Sequence, residues 1–149
     1  MESNKKTMGK KILFSLIMCL LSLDIMAQSK LADKIDSNIY NNTWTLIRMN
    51  SRKIKYEPNA EKITLMITPE NEYATGCSGC NTYVCRAIIK RNRIMFSGIG
   101  VTRMVCPDDD LANERIFLKN LADIDSYAII DEDLYLYKNE QPVLIFSKY

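Results

Sequence analysis

The sequence contains no histidine. That absence rules out Ser-His and Cys-His nucleophilic sites, and with them every zinc site that needs an imidazole. A glycine-rich phosphate loop is also missing: Gly98-Ile99-Gly100 continues as Val101-Thr102-Arg103. Nor is there an excess of one charge. The formal net charge is +2, and four lysines and two acids fall within residues 1–27, so the remainder carries 16 basic and 16 acidic groups. A neutral remainder lacks the long-range field that gathers nucleic acid or anionic lipid, so no nucleic-acid partner is expected. No internal repeat or low-complexity stretch is visible. What is present is a chain of 149 residues that is 47% hydrophobic, enough for one domain with a real core and too apolar for a disordered chain.

The first 27 residues are tripartite. Lys5, Lys6, Lys10 and Lys11 precede an apolar run, Ile12 to Leu23, broken only by serines; Asp24 and a polar stretch follow. A bilayer span needs about 20 apolar residues, and this run is shorter. With Ala27-Gln28 after it, residues 1–27 read as a cleavable signal peptide, which places the rest in the periplasm or envelope of a bacterium. Cys19 follows Met18 inside the apolar run, which argues against a lipid anchor. Residues 28–41 are polar, with Leu31, Ile35 and Ile39 spaced by four, and read as a short helix or a linker.

From residue 42 the pattern is that of strands. Thr43 to Ile47 is β-branched and aromatic, and Ile63, Leu65 and Ile67 alternate within Lys62 to Thr68, so period two turns all three to one face. Glu72 to Thr75 can pair back across Pro69-Glu70-Asn71. Asn81 to Ile89 and Arg93 to Thr102 form a second pair, where Gly98 and Gly100 predict a bulge or a close backbone approach. Asp109 to Ile124 changes period: Leu111, Phe117, Leu118, Leu121 and Ile124 make a helical stripe, with Asp108, Asp109 and Asp110 placed to cap its start. Strands resume at Ser126–Ile130, Asp133–Tyr137 and Pro142–Ser147, joined by turns at Asp131-Glu132 and Asn139-Glu140. The sum is an α+β fold, a mostly antiparallel sheet curled into a partly closed barrel with one main helix.

Four cysteines follow the leader: Cys77, Cys80, Cys85 and Cys106. In an oxidising compartment an even number reads first as disulfides, with three possible pairings. A tetrathiolate zinc site is the second reading and a redox-active Cys77-Ser78-Gly79-Cys80 the third, although a strand rather than a helix follows that motif.

The cysteines lie in two motifs. Gly79-Cys80-Asn81-Thr82-Tyr83 resembles the Gly-Cys-Asn-x-Tyr motif of the META/HslJ domain family, and Thr102-Arg103-Met104-Val105-Cys106-Pro107 resembles its Thr-x-Met-x-Cys motif. Glu114 fits the acidic residue of the following helix and Leu121 its later apolar position. Trp44-Thr45-Leu46 and Leu134-Tyr135-Leu136 are similar as well, so the resemblance runs from Asn41 to Lys148, in effect the domain 42–149. It implies a shared Cys80–Cys106 bridge and marks Gly79, Asn81, Tyr83, Thr102, Met104 and Glu114 as family positions. Cys77 and Cys85 depart from the usual pattern; as the extra pair flanking one turn, they are expected to close on each other.

The resemblance also implies an envelope protein linked to stress tolerance, with no catalytic residues and no cofactor. Three functions follow: a non-catalytic domain acting on a protein partner, a barrel carrying a hydrophobic ligand or lipid, and a thiol protein that uses its four cysteines for zinc or redox chemistry. The remaining polar clusters read blandly. Asp108 to Asp110 is helix capping, Asp131-Glu132-Asp133 a solvated turn, and Arg86, Lys90, Arg91 and Arg93 a solvated hairpin tip. Tyr127, Tyr135 and Tyr137 line a sheet face.

Overall fold

The computed structural model describes residues 37–149. The leader expected over 1–27, and residues 28–36 of the following segment, lie outside the described residues. Of that segment, Ser37–Ile39 forms a single 3-10 turn whose Ile39 is buried and whose carbonyl accepts the indole N–H of Trp44 at 3.1 Å.

Nine strands and one long helix follow. They are β1 (Trp44–Met49), β2 (Arg52–Lys53), β3 (Thr64–Thr68), β4 (Tyr73–Cys77), β5 (Thr82–Lys90) and β6 (Arg93–Val101), then α1 (Asp108–Ala122), then β7 (Ser126–Ile130), β8 (Asp133–Lys138) and β9 (Gln141–Lys148). All pairings are antiparallel. The sheet runs β1-β3-β4-β5-β6-β7-β8-β9 and closes on itself where β9 pairs with β1, while β2 hangs on the end of β1. The ring has one thin joint. β6 and β7 share a single register pair, Arg93 with Ser126, and α1 is the connection between them.

Alternation explains the interior. Leu65 and Ile67 of β3, Tyr83, Cys85 and Ala87 of β5, Ile94 and Phe96 of β6, Leu134 and Leu136 of β8, and Leu144 and Phe146 of β9 are all buried. Helix α1 adds Phe117 and Leu121. The Phe117 ring meets Tyr83 edge-on at 5.5 Å and Phe146 at 6.5 Å, so one helical side chain joins β5 to β9. These side chains, with Phe117 and Leu121, form one continuous buried core.

Backbone detail follows the glycines and turns. Gly98, at φ +62°, sits where two residues of β6 oppose one of β5, and a side chain there would meet no neighbour; the left-handed backbone of the bulge is what calls for glycine. Gly76 has the other reason. A Cβ there would lie 2.0 Å from the Thr64 carbonyl oxygen, so β4 and β3 can approach this closely only without one. The β1–β2, β7–β8 and β8–β9 turns each have two successive residues at positive φ: Asn50-Ser51, Asp131-Glu132 and Asn139-Glu140. That is the type I′ geometry that suits strand twist.

Two local readings change. The helix begins one residue earlier than expected, with Pro107 at the N-cap and no side-chain capping bond, so Asp108, Asp109 and Asp110 occupy the first turn and oppose the dipole without capping. The basic hairpin tip is partly neutralised: Arg86 pairs with Glu72 at 3.5 Å and Arg93 with Asp125 at 3.7 Å.

Candidate functional site: a clasp between two loops

The β4–β5 connection is a four-residue loop, Ser78 to Asn81, closed by the Ser78 N–H donating to the Asn81 carbonyl at 2.7 Å. Gly79 takes φ +114° within it. The segment after β6, Thr102 to Pro107, runs alongside. Cys80 is bridged to Cys106 with a Cα–Cα separation of 6.2 Å, joining the two segments covalently across 26 positions of sequence. Closing a loop of that length restricts the unfolded chain by about 3.5 kcal/mol on the chain-entropy estimate.

Asn81 joins the same segments without covalent bonds. Its buried Oδ1 accepts from the Thr102 hydroxyl at 3.1 Å and from the Met104 amide at 2.8 Å. Its Nδ2 donates to Glu114 Oε1 at 3.0 Å and lies 3.8 Å from the Cys106 sulfur. Thr102 Oγ1 accepts the Thr82 amide at 3.1 Å. Glu114 arrives from α1 with its carboxylate buried. Its Oε2 accepts the Asn81 amide at 3.1 Å and stands 2.5 Å from Ser78 Oγ. A buried carboxylate is tolerable only with such donors around it. Tyr83, inside the barrel, donates its hydroxyl to the Thr64 carbonyl at 2.8 Å, and burial holds its pKa well above the usual 10.0.

The family positions therefore converge on one place. Gly79, Cys80, Asn81, Thr102, Met104, Cys106 and Glu114 form a single clasp tying two loops to the helix, and Tyr83 anchors its base. Met104 contributes through its backbone, with its side chain 61% exposed beside a fully exposed Val105. Ser78 and Thr64 complete the network. Neither stands out in the sequence, where Ser78 is a spacer between cysteines and Thr64 an ordinary strand residue.

The expected Cys77–Cys85 bridge does not form; both thiols are free. Cys77 stands opposite Thr82 and Cys85 opposite Ala74, three register steps apart, or roughly 10 Å along the strands against a bridging limit of about 7 Å. Cys85 shares the inward face with Tyr83 and Ala87, and burial pushes its thiol up to about 11. The four sulfurs thus do not converge as a tetrathiolate zinc site requires, and Cys80 is engaged with Cys106 rather than with Cys77.

Two solved structures share the fold. An NMR structure of a protein from Burkholderia xenovorans superposes with a TM-score of 0.63 at 23% identity, covering 74% of this chain and 83% of the other. A second NMR structure gives a TM-score of 0.59 at 15% identity, over 76% of this chain and 95% of that one. No curated protein matches the sequence. The META domain family matches residues 37–149, the whole described barrel with its clasp, and the chain belongs to that family.

Proposed function

We propose that this chain is a non-catalytic protein of the bacterial cell envelope that supports stress tolerance by binding another protein. The observation that carries the reading is the state of the clasp. Its polar side chains are turned on one another: Glu114 toward Ser78 and Asn81, Asn81 toward Thr102 and Met104, Tyr83 toward Thr64. A catalytic constellation keeps groups directed at a reacting molecule; here they are directed at the fold. The clasp turns outward an apolar pair, Met104-Val105, beside the exposed Arg103, on a loop pinned at both ends. Exposed apolar side chains held in a fixed geometry suit contact with protein. The basic and apolar leader supports export.

The test uses the native host. Mature protein should begin near Gln28 and fractionate outside the cytoplasm. A strain lacking the gene should survive heat poorly, regain tolerance with the wild-type gene, and fail to regain it with a Met104→Asp, Val105→Asp double variant that folds normally. An intact leader on cytoplasmic protein, or full rescue by the double variant, would count against the proposal.

A further inference from the structure

We propose that the Cys80–Cys106 bridge is exchangeable within the chain, with the Cys77 thiol as the attacking group and Cys106 as the leaving group. Three sulfurs lie within one structural unit. Cys77 ends β4 and Cys80 sits in the closed four-residue loop that follows. The Cys77 sulfur is turned toward that loop, accepting the Gly79 amide at 3.3 Å, and the residue after Gly79 is Cys80. Cys77 is only partly buried, unlike Cys85, which faces the core. Its backbone N–H donates to Thr64 Oγ1 at 3.0 Å, and its sulfur takes no part in the bonds that join the two clasp segments.

The chemistry is redox-neutral. The Cys77 sulfur, as thiolate, forms a bond to the Cys80 sulfur. The Cys80–Cys106 bond breaks and its electron pair leaves on Cys106. The proton lost by Cys77 is returned to Cys106. One disulfide and one thiol exist before and after, and no outside oxidant is needed. The groups around Cys77 set the rate. Burial raises its pKa, the Gly79 amide lowers it, and the Glu61 and Glu114 carboxylates raise it further, with Tyr56 and Tyr83 facing it from β3's approach and β5. The thiol is thus quiescent at neutral pH, and the clasp holds. Exchange would leave Thr102 to Pro107 held only by its hydrogen bonds to Asn81 and Thr82, loosening the Met104-Val105 segment without unfolding the barrel.

The experiment uses the oxidised full chain. It is incubated with iodoacetamide at about pH 8.5, quenched in acid and mapped without reduction. Carbamidomethylated Cys106 with a linked Cys77–Cys80 peptide is expected, at roughly tenfold the level seen in Cys77→Ser. Labelling confined to Cys77 with Cys80–Cys106 intact, or equal Cys106 labelling in the variant, overturns the proposal. A second arm treats Cys106→Ser with oxidised glutathione. A Cys77–Cys80 bond supports exchange, and Cys80 held as a glutathione mixed disulfide overturns it. Should that variant not fold, the wild-type arm decides.

Discussion

Asn81 shows how one side chain can tie its own loop to two other segments of the fold. Its carbonyl oxygen takes two donors from the segment after β6, and its amide donates to a carboxylate brought in by α1. The sharpest test is the near-isostere Asn81→Asp. It keeps the acceptor for Thr102 and Met104 but sets a carboxylate oxygen against Glu114 Oε1, 3.0 Å away in the native arrangement. Loss of a buried donor and like-charge repulsion together should cost roughly 2–4 kcal/mol, measured by urea unfolding at neutral pH. The resemblance points to Asn81, Thr102 and Glu114, but not to what they do. Ser78 carries no signal, because its partner Glu114 stands 36 positions away and nothing local encodes that meeting. The inward placement of Cys85 is legible, and it argues against the expected bridge to Cys77. Cys85 is in phase with Tyr83 and Ala87, and the same alternation that places those two inside places it beside them.

At the scale of the element, strands announce themselves where one face is buried. Ile63, Leu65 and Ile67 are all buried as their spacing predicts, and the turns at Asp131-Glu132 and Asn139-Glu140 fall where turn chemistry puts them. β2 gives no such signal, because a two-residue strand of exposed Arg52 and Lys53 has no periodicity to detect. The helix start differs by one residue from expectation because three aspartates look like caps, whereas Pro107 takes that place. The turns themselves carry strain that sequence alone would not betray. Glu140 holds φ +65° at the second position of the β8–β9 turn, where a side chain is disfavoured. Glu140→Gly, following Asn139, should raise stability by about 0.5–1 kcal/mol in thermal or urea unfolding, the opposite of what glycine does inside a strand.

For the molecule as a whole, buried ionisable groups make alkali its weak side. The folded state raises the Cys85 thiol from 9.0 to about 11 by burial. Burial also raises Tyr56 from 10.0 to about 12, opposed by the Ile63 amide and helped by the nearby Cys77. In both, the folded protein holds its proton more tightly than the unfolded chain. Their contribution is therefore complete below the unfolded values and is lost as pH rises toward the folded ones. The urea midpoint should fall steadily from pH 9.0 toward about 11, and Cys85→Ala, though weaker at neutral pH, should show a shallower fall. Equal slopes in the two proteins would contradict that origin.

The closure of the ring has a consequence in time as well as in space. Trp44 of the first strand pairs with Lys148 of the last, and the Tyr149 amide reaches back to the Thr43 carbonyl at 3.0 Å. A polypeptide leaves the ribosome from its amino end, so β1 can pair with β2 and β3 early but lacks its second neighbour until β9 has been made. Through that wait the β1 edge that β9 will cover remains open, and the inward faces of the early strands stay wet. Pairings of such high sequence separation form slowly, in milliseconds to seconds for sheet-dominated domains. The chain is thus most vulnerable to aggregation and proteolysis until its last strand is in place, and the arrival of β9, more than any local hairpin, completes its folding.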